Sequence, residues 1–205
     1  MRFIVNPTPP AVITQPLPEG WSLIRQPKPR IALTAAIAAG LALPVVPFML
    51  MALESWLFTI TDTRPYVTIP VWTIVPMVLV SVVLHELLHL LGHPGSGRSP
   101  MSHLLVWPRK LQIGLYYDGF MPRSRWLAMR LAPLFGLTVL PALLLLAAYP
   151  FLMDYFWQQF ITMVILVNSL GAGGDLVAAL IVARQVPRGA EVGIWQGTAC
   201  WRQTT

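Results

Sequence analysis

At 205 residues the chain is long enough for one domain and too short for two large ones. Apolar residues make up 56% of it and charged residues 11%, against about 45–50% and about 25% in soluble domains, which excludes both a water-coated globule and a disordered chain. The single cysteine, Cys200, excludes an internal disulfide framework and a cysteine-based zinc finger, and the net charge of +6 lies between long uncharged runs, so it reads as membrane topology and no nucleic-acid partner is expected.

In chain order, residues 1–30 form a lead holding seven of the 20 prolines, expected to be extended and poorly helical. Four stretches then reach the roughly 20 apolar residues a bilayer crossing needs: 31–53, 67–91, 126–149 and 157–183. The expected fold is therefore all-α and integral to the membrane, with four transmembrane helices over residues 31–184 and a short tail at 185–205. Basic residues gather in the lead (Arg2, Arg25, Lys28, Arg30), in 92–125 (Arg98, Arg109, Lys110, Arg123, Arg125) and in the tail (Arg184, Arg188, Arg202), while 54–66 and 150–156 share only Arg64. The positive-inside rule then makes both termini and the 92–125 loop cytoplasmic. No cleavable signal peptide is expected ahead of Ile31. Within the loop, 103–107 and 112–117 alternate as short strands about a turn at Pro108-Arg109-Lys110, a cytoplasmic β-hairpin between helices 2 and 3. Trp21, Trp126, Tyr149 and Trp157 read as interface anchors, Arg130 as a snorkelling cation, and Pro70, Pro76, Pro133 and Pro141 as helix kinks without chemistry.

The second span ends on His85-Glu86-Leu87-Leu88-His89. Positions i and i+4 share a helix face, so the two imidazoles can bind one metal ion with Glu86 beside them to act on water. The plainer alternative is a helix end whose polar groups are solvated at the interface. A tetrahedral site needs a third protein ligand, and three candidates exist. Asp175 is the only acid of the fourth span, where an ionised residue needs a reason; its depth matches that of His85. The glycines at 171, 173 and 174 would let helix backbones approach closely, and equally would suit a packing face with Asp175 hydrogen-bonded to a neighbour. Asn168, nearly two turns before Asp175, points the same way. His93 continues the step of four but sits between Gly92 and Pro94, where the helix stops, and His103 has no positional argument. The soluble metzincin arrangement is excluded because its third histidine would fall at Gly95.

His85-Glu86-x-x-His89 in one span and Asn168…Gly173-Gly174-Asp175 in a later one resemble the site-2-protease-like intramembrane zinc metalloproteases, and more closely the bacterial "putative zincin peptidase" membrane family, which also tends to open with a phrase like Leu17-Pro18-Glu19-Gly20-Trp21. The resemblance implies Zn2+ held by His85, His89 and Asp175, Glu86 as catalytic base, Asn168 as a catalytic residue that positions substrate or stabilises the oxyanion, and a bacterial inner membrane as location. The chain departs from the well-studied members in lacking their Asn-x-x-Pro and Leu-Asp-Gly wording and a PDZ-like domain.

The function expected is a multi-pass, membrane-embedded zinc metalloprotease whose partners are the lipid bilayer and a peptide or membrane-protein substrate. The edge of 112–117 could hold that peptide extended. The alternative from another class is a non-catalytic scaffold or metal-binding regulator that retains a zincin-like site. A metal transporter is disfavoured because the first span carries no ionisable residue.

Overall fold

The computed structural model describes residues 2–5, 16–45, 48–49, 52, 71–108, 112–148, 155–195 and 197–203. The elements, in chain order, are β1 (Arg2–Val5), β2 (Trp21–Leu23), α1 (Pro29–Ala42), α2 (Val71–Gly92), β3 (Ser102–Trp107), β4 (Gln112–Tyr117), β5 (Met121–Pro122), α3 (Arg123–Leu134), a π-helical turn (Phe135–Val139), α4 (Leu140–Ala148), α5 (Tyr155–Gln185), β6 (Ala190–Trp195) and β7 (Thr198–Gln203). Among the described residues three helical stretches, Trp72–Gly92, Arg123–Ala147 and Phe156–Gln185, are long and apolar enough to cross a membrane. The first expected span, 31–53, is helical over 31–42, where it coincides with α1; part of its remainder lies outside the described residues, as do residues 67–70, the turn residues Arg109 and Lys110, and Tyr149.

The all-α expectation is wrong. The described residues also form two sheets, a three-stranded one in the order β1-β3-β4 and a four-stranded one in the order β2-β7-β6-β5. The strands β3 and β4 pair antiparallel with Ser102 opposite Tyr117 and Trp107 opposite Gln112, but that hairpin is extended by β1, which runs parallel to β3. The second sheet draws its strands from the proline-rich lead and from the tail: Trp21–Leu23 pairs with Arg202–Cys200, and β6 with β7 around Gly197, whose φ of +78° suits a tight hairpin. Strand pairing is non-local, so neither end showed its partner in its own wording. Prolines at 16, 18, 27 and 29 bracket β2 rather than interrupt it.

The chain divides into two compact units, one comprising Met1–Lys28, Glu86–Ala132 and Ala178–Thr205, the other Pro29–His85 and Pro133–Val177. In the first, Ile24, Val182, Val186, Ala190 and Val192 form an apolar core with Trp126 and Trp201 packed on it. Trp21, expected to be an interface anchor, meets Phe120 and Trp195 edge-on at 4.4 and 5.4 Å, with the Arg202 guanidinium, which also bonds Glu191 at 2.8 Å, near its ring. In the second unit Ala142, Leu145 and Ile165 pack together. There α1 meets α5 backbone to backbone: a Cβ on Gly173 would lie 2.2 Å from the Ala36 carbonyl oxygen, and one on Gly40 would lie 3.0 Å from the Leu170 Cα. Only glycine permits that approach.

Candidate metal centre

Helix α2 carries His85 and His89 one turn apart, with Glu86 half-buried between them. Its end is set by chemistry as well as by Gly92 and Pro94. Arg125, in the first turn of α3, donates from Nε to the Gly92 carbonyl (2.9 Å) and from Nη2 to that of His93 (2.8 Å), satisfying carbonyls that a helix leaves without intrahelical partners. A Cβ on Gly92 would lie 2.6–2.8 Å from Met129 atoms, so glycine there allows α3 to lie close against the turn bearing His89. That proximity places the Met129 carbonyl oxygen 2.9 Å from His89 Nδ1. A carbonyl only accepts, so Nδ1 carries the hydrogen and, in the neutral ring, Nε2 keeps its lone pair.

His85 is oriented by the same logic through a side chain. Asn168 donates from Nδ2 to the Pro133 carbonyl (2.9 Å) and to Thr138 Oγ1 (2.8 Å), which leaves Oδ1 as the acceptor facing His85 Nδ1 at 2.8 Å. The His85 Nδ1 is thereby the donor, and Nε2 is left to face Asp175, whose Oδ2 lies 3.0 Å away. The relay continues outward from Thr138 to Ser169 Oγ (3.4 Å), which donates to the Ile165 carbonyl (2.7 Å). Thr138 sits in the π-helical turn, where Leu140 N–H reaches back to the Phe135 carbonyl; Pro141 has no N–H for the Leu137 carbonyl, so the regular ladder cannot continue there. A Cβ on Gly171 would come within 3.3 Å of the His85 ring, so the glycine-rich run of α5 makes room for the imidazole as well as for α1.

One ligand atom from each of His85, His89 and Asp175 lies within 4.8 Å of the others, and these three make up the group among the described residues that could hold a metal ion. Two imidazoles whose Nδ1 atoms are already donating, plus one carboxylate, fit a cation that takes nitrogen and oxygen ligands. His93 lies outside this group: its Nδ1 is 3.1 Å from Ser102 Oγ and its ring meets Tyr117 edge-on at 5.5 Å. His103 is buried beside Tyr116 at 6.0 Å, and its Nδ1 has no hydrogen-bond partner among the described residues. Asn168 is enclosed, with both amide hydrogens and its oxygen engaged by protein groups. Arg130 stacks 5.3 Å over the Trp126 ring. Met129, Pro133, Thr138 and Arg125 were not singled out for the site from sequence; the one signal available was a proline four residues after Met129.

A family model described as "Putative zincin peptidase" matches residues 78–190, just over half the chain. The chain belongs to this family. The matched stretch contains all three members of the group together with Glu86 and Asn168, and membership points to a metallopeptidase using zinc. A comparison with curated proteins and another with solved structures find no match.

Proposed function

We propose that the protein is a membrane-embedded zinc peptidase that hydrolyses peptide bonds of membrane or membrane-proximal substrates, with His85, His89 and Asp175 as zinc ligands and Glu86 as general base. The observation that carries this reading is the convergence of the three ligand atoms within 4.8 Å on helices that are apolar enough to lie in lipid. A nitrogen-and-carboxylate set suits zinc over magnesium or calcium, which favour all-oxygen shells. When bound, zinc lowers the pKa of water toward about 7 and polarises a carbonyl.

The residues of the chain supply the rest. Glu86 takes the proton of the attacking water and returns it to the leaving amine. Asn168, whose three polar functions are spent inside the protein, acts as a positioning residue that holds the His85 ring, in place of the direct contact with substrate first expected of it. Among the described residues strand β4 ends its sheet and offers an edge on which an extended peptide can add as a further strand. Membrane crossing by more than one helix, and a cell-membrane location, belong to the same proposal.

The test is Glu86→Gln in the purified full chain, assayed in liposomes on casein and on a reporter with a transmembrane segment. Turnover falls by at least about a hundredfold while roughly one zinc per chain is kept. Unchanged turnover, or a wild-type chain that binds zinc but cuts neither substrate while its cellular phenotype survives the substitution, would favour a scaffold or metal-binding regulator.

A further inference from the structure

Both histidines of the site are held through Nδ1, yet the two acceptors differ in origin. His85 is held by a side chain, Asn168. His89 is held by a backbone carbonyl, that of Met129, from the middle of a helix. A carbonyl inside a helix is ordinarily taken by the N–H four residues on. Four residues after Met129 stands Pro133, which has no N–H.

We propose that Pro133 is a positioning residue for the metal site: by withholding an N–H it leaves the Met129 carbonyl to His89 Nδ1–H and so fixes the ring with Nε2 toward the ligand group. The inference rests on the reading of His89 as a ligand. An acceptor that already had a helical partner would bind the imidazole more weakly, and the tautomer with hydrogen on Nε2, which cannot ligate, would gain population. The proline does this without placing a polar side chain in an apolar helix, where one would need a partner of its own.

Pro133→Ala tests this cleanly. The exchange restores the missing N–H and retains the carbonyl at position 133 that Asn168 uses, so the His85 arm is spared. Alanine is also the better helix former, so a functional loss cannot be assigned to a weakened helix. In the metal-free chain with 15N-labelled histidine, His89 shifts from a single Nδ1–H tautomer toward a mixture while His85 does not. Zinc affinity, read by chelator competition, falls about tenfold, at the lower end of the roughly 10–100-fold seen when an outer partner of a ligand is lost. Pro76→Ala, the same exchange at an exposed position in the first half of α2, leaves zinc affinity within about twofold of wild type. A Pro133→Ala chain with wild-type tautomer and zinc affinity overturns the proposal. If the wild-type chain binds no zinc, the peptidase reading fails, and the His89 tautomer in the metal-free chain still decides the role of Pro133.

Discussion

The two compact units use the same side chains in opposite ways. In the unit built on the sheets, Ile24 and Val192 are each 2% exposed and form a core such as any water-soluble fold would have. In the helical unit Val75, Leu79 and Val83 step along α2 by four and are 63%, 60% and 50% exposed, while Ser81, Thr138, Asn168 and Ser169 are buried. Apolar groups facing outward cost nothing if lipid is the solvent, and what then needs an interior is the polar group, which has no water to bond. Around Ile24 and Val192 burial marks apolar packing, whereas around Asn168 and Thr138 it marks polar groups that bond one another beside His85.

The largest effect is expected at the α1–α5 crossing. Gly173→Leu would drive a side chain into the Ala36 carbonyl, where even a Cβ comes within 2.2 Å; the expected outcome is loss of both zinc binding and a cooperative unfolding transition, measured in detergent. Next come two truncations of similar chemistry in opposite settings. Ile24→Ala should lower unfolding free energy by about 2–5 kcal/mol, and Leu79→Ala by no more than about 0.5 kcal/mol, by denaturation in detergent; equal costs would mean α2 packs against protein. The smallest effect is a pH dependence at the edge of α2. Burial, then the fields of His89, Arg130 and Arg125, hold His93 at about 4 against its ordinary 6.5. The unfolded chain therefore takes up this proton first as pH falls, so the contribution of His93 is intact above about 6.5 and is lost progressively toward about 4. His93→Asn should flatten the acid side of a plot of unfolding midpoint against pH, and an unchanged slope would show the imidazole to be accessible.

Much of the helical part was legible because its signals are local. Sparsely charged runs at 67–91, 126–149 and 157–183 mark α2, the 123–148 stretch and α5, and the spacing of His85 and His89 needs only helical geometry. Asp175 could be nominated as the sole acid of its span. The sheets were half legible: the alternation in 112–117 marks β4, but nothing in Arg2–Val5 says that it will lie parallel to β3, and the tail read as featureless although it supplies two strands. The partners of Asn168 were hidden for a similar reason. An amide can donate to a substrate or to a neighbour, and the neighbours, a carbonyl at Pro133 and a hydroxyl at Thr138, are thirty or more residues away.

Helices suited to lipid, and two imidazoles and a glutamate within one turn of one of them, follow from residue order alone, because solvent preference and helical period are properties of a residue and its near neighbours. That lead and tail join in one sheet, that Asp175 meets His85 and that the Met129 carbonyl receives His89 emerges only in the folded chain. Each of those is a choice among many distant partners, and close packing with complete hydrogen bonding makes the choice.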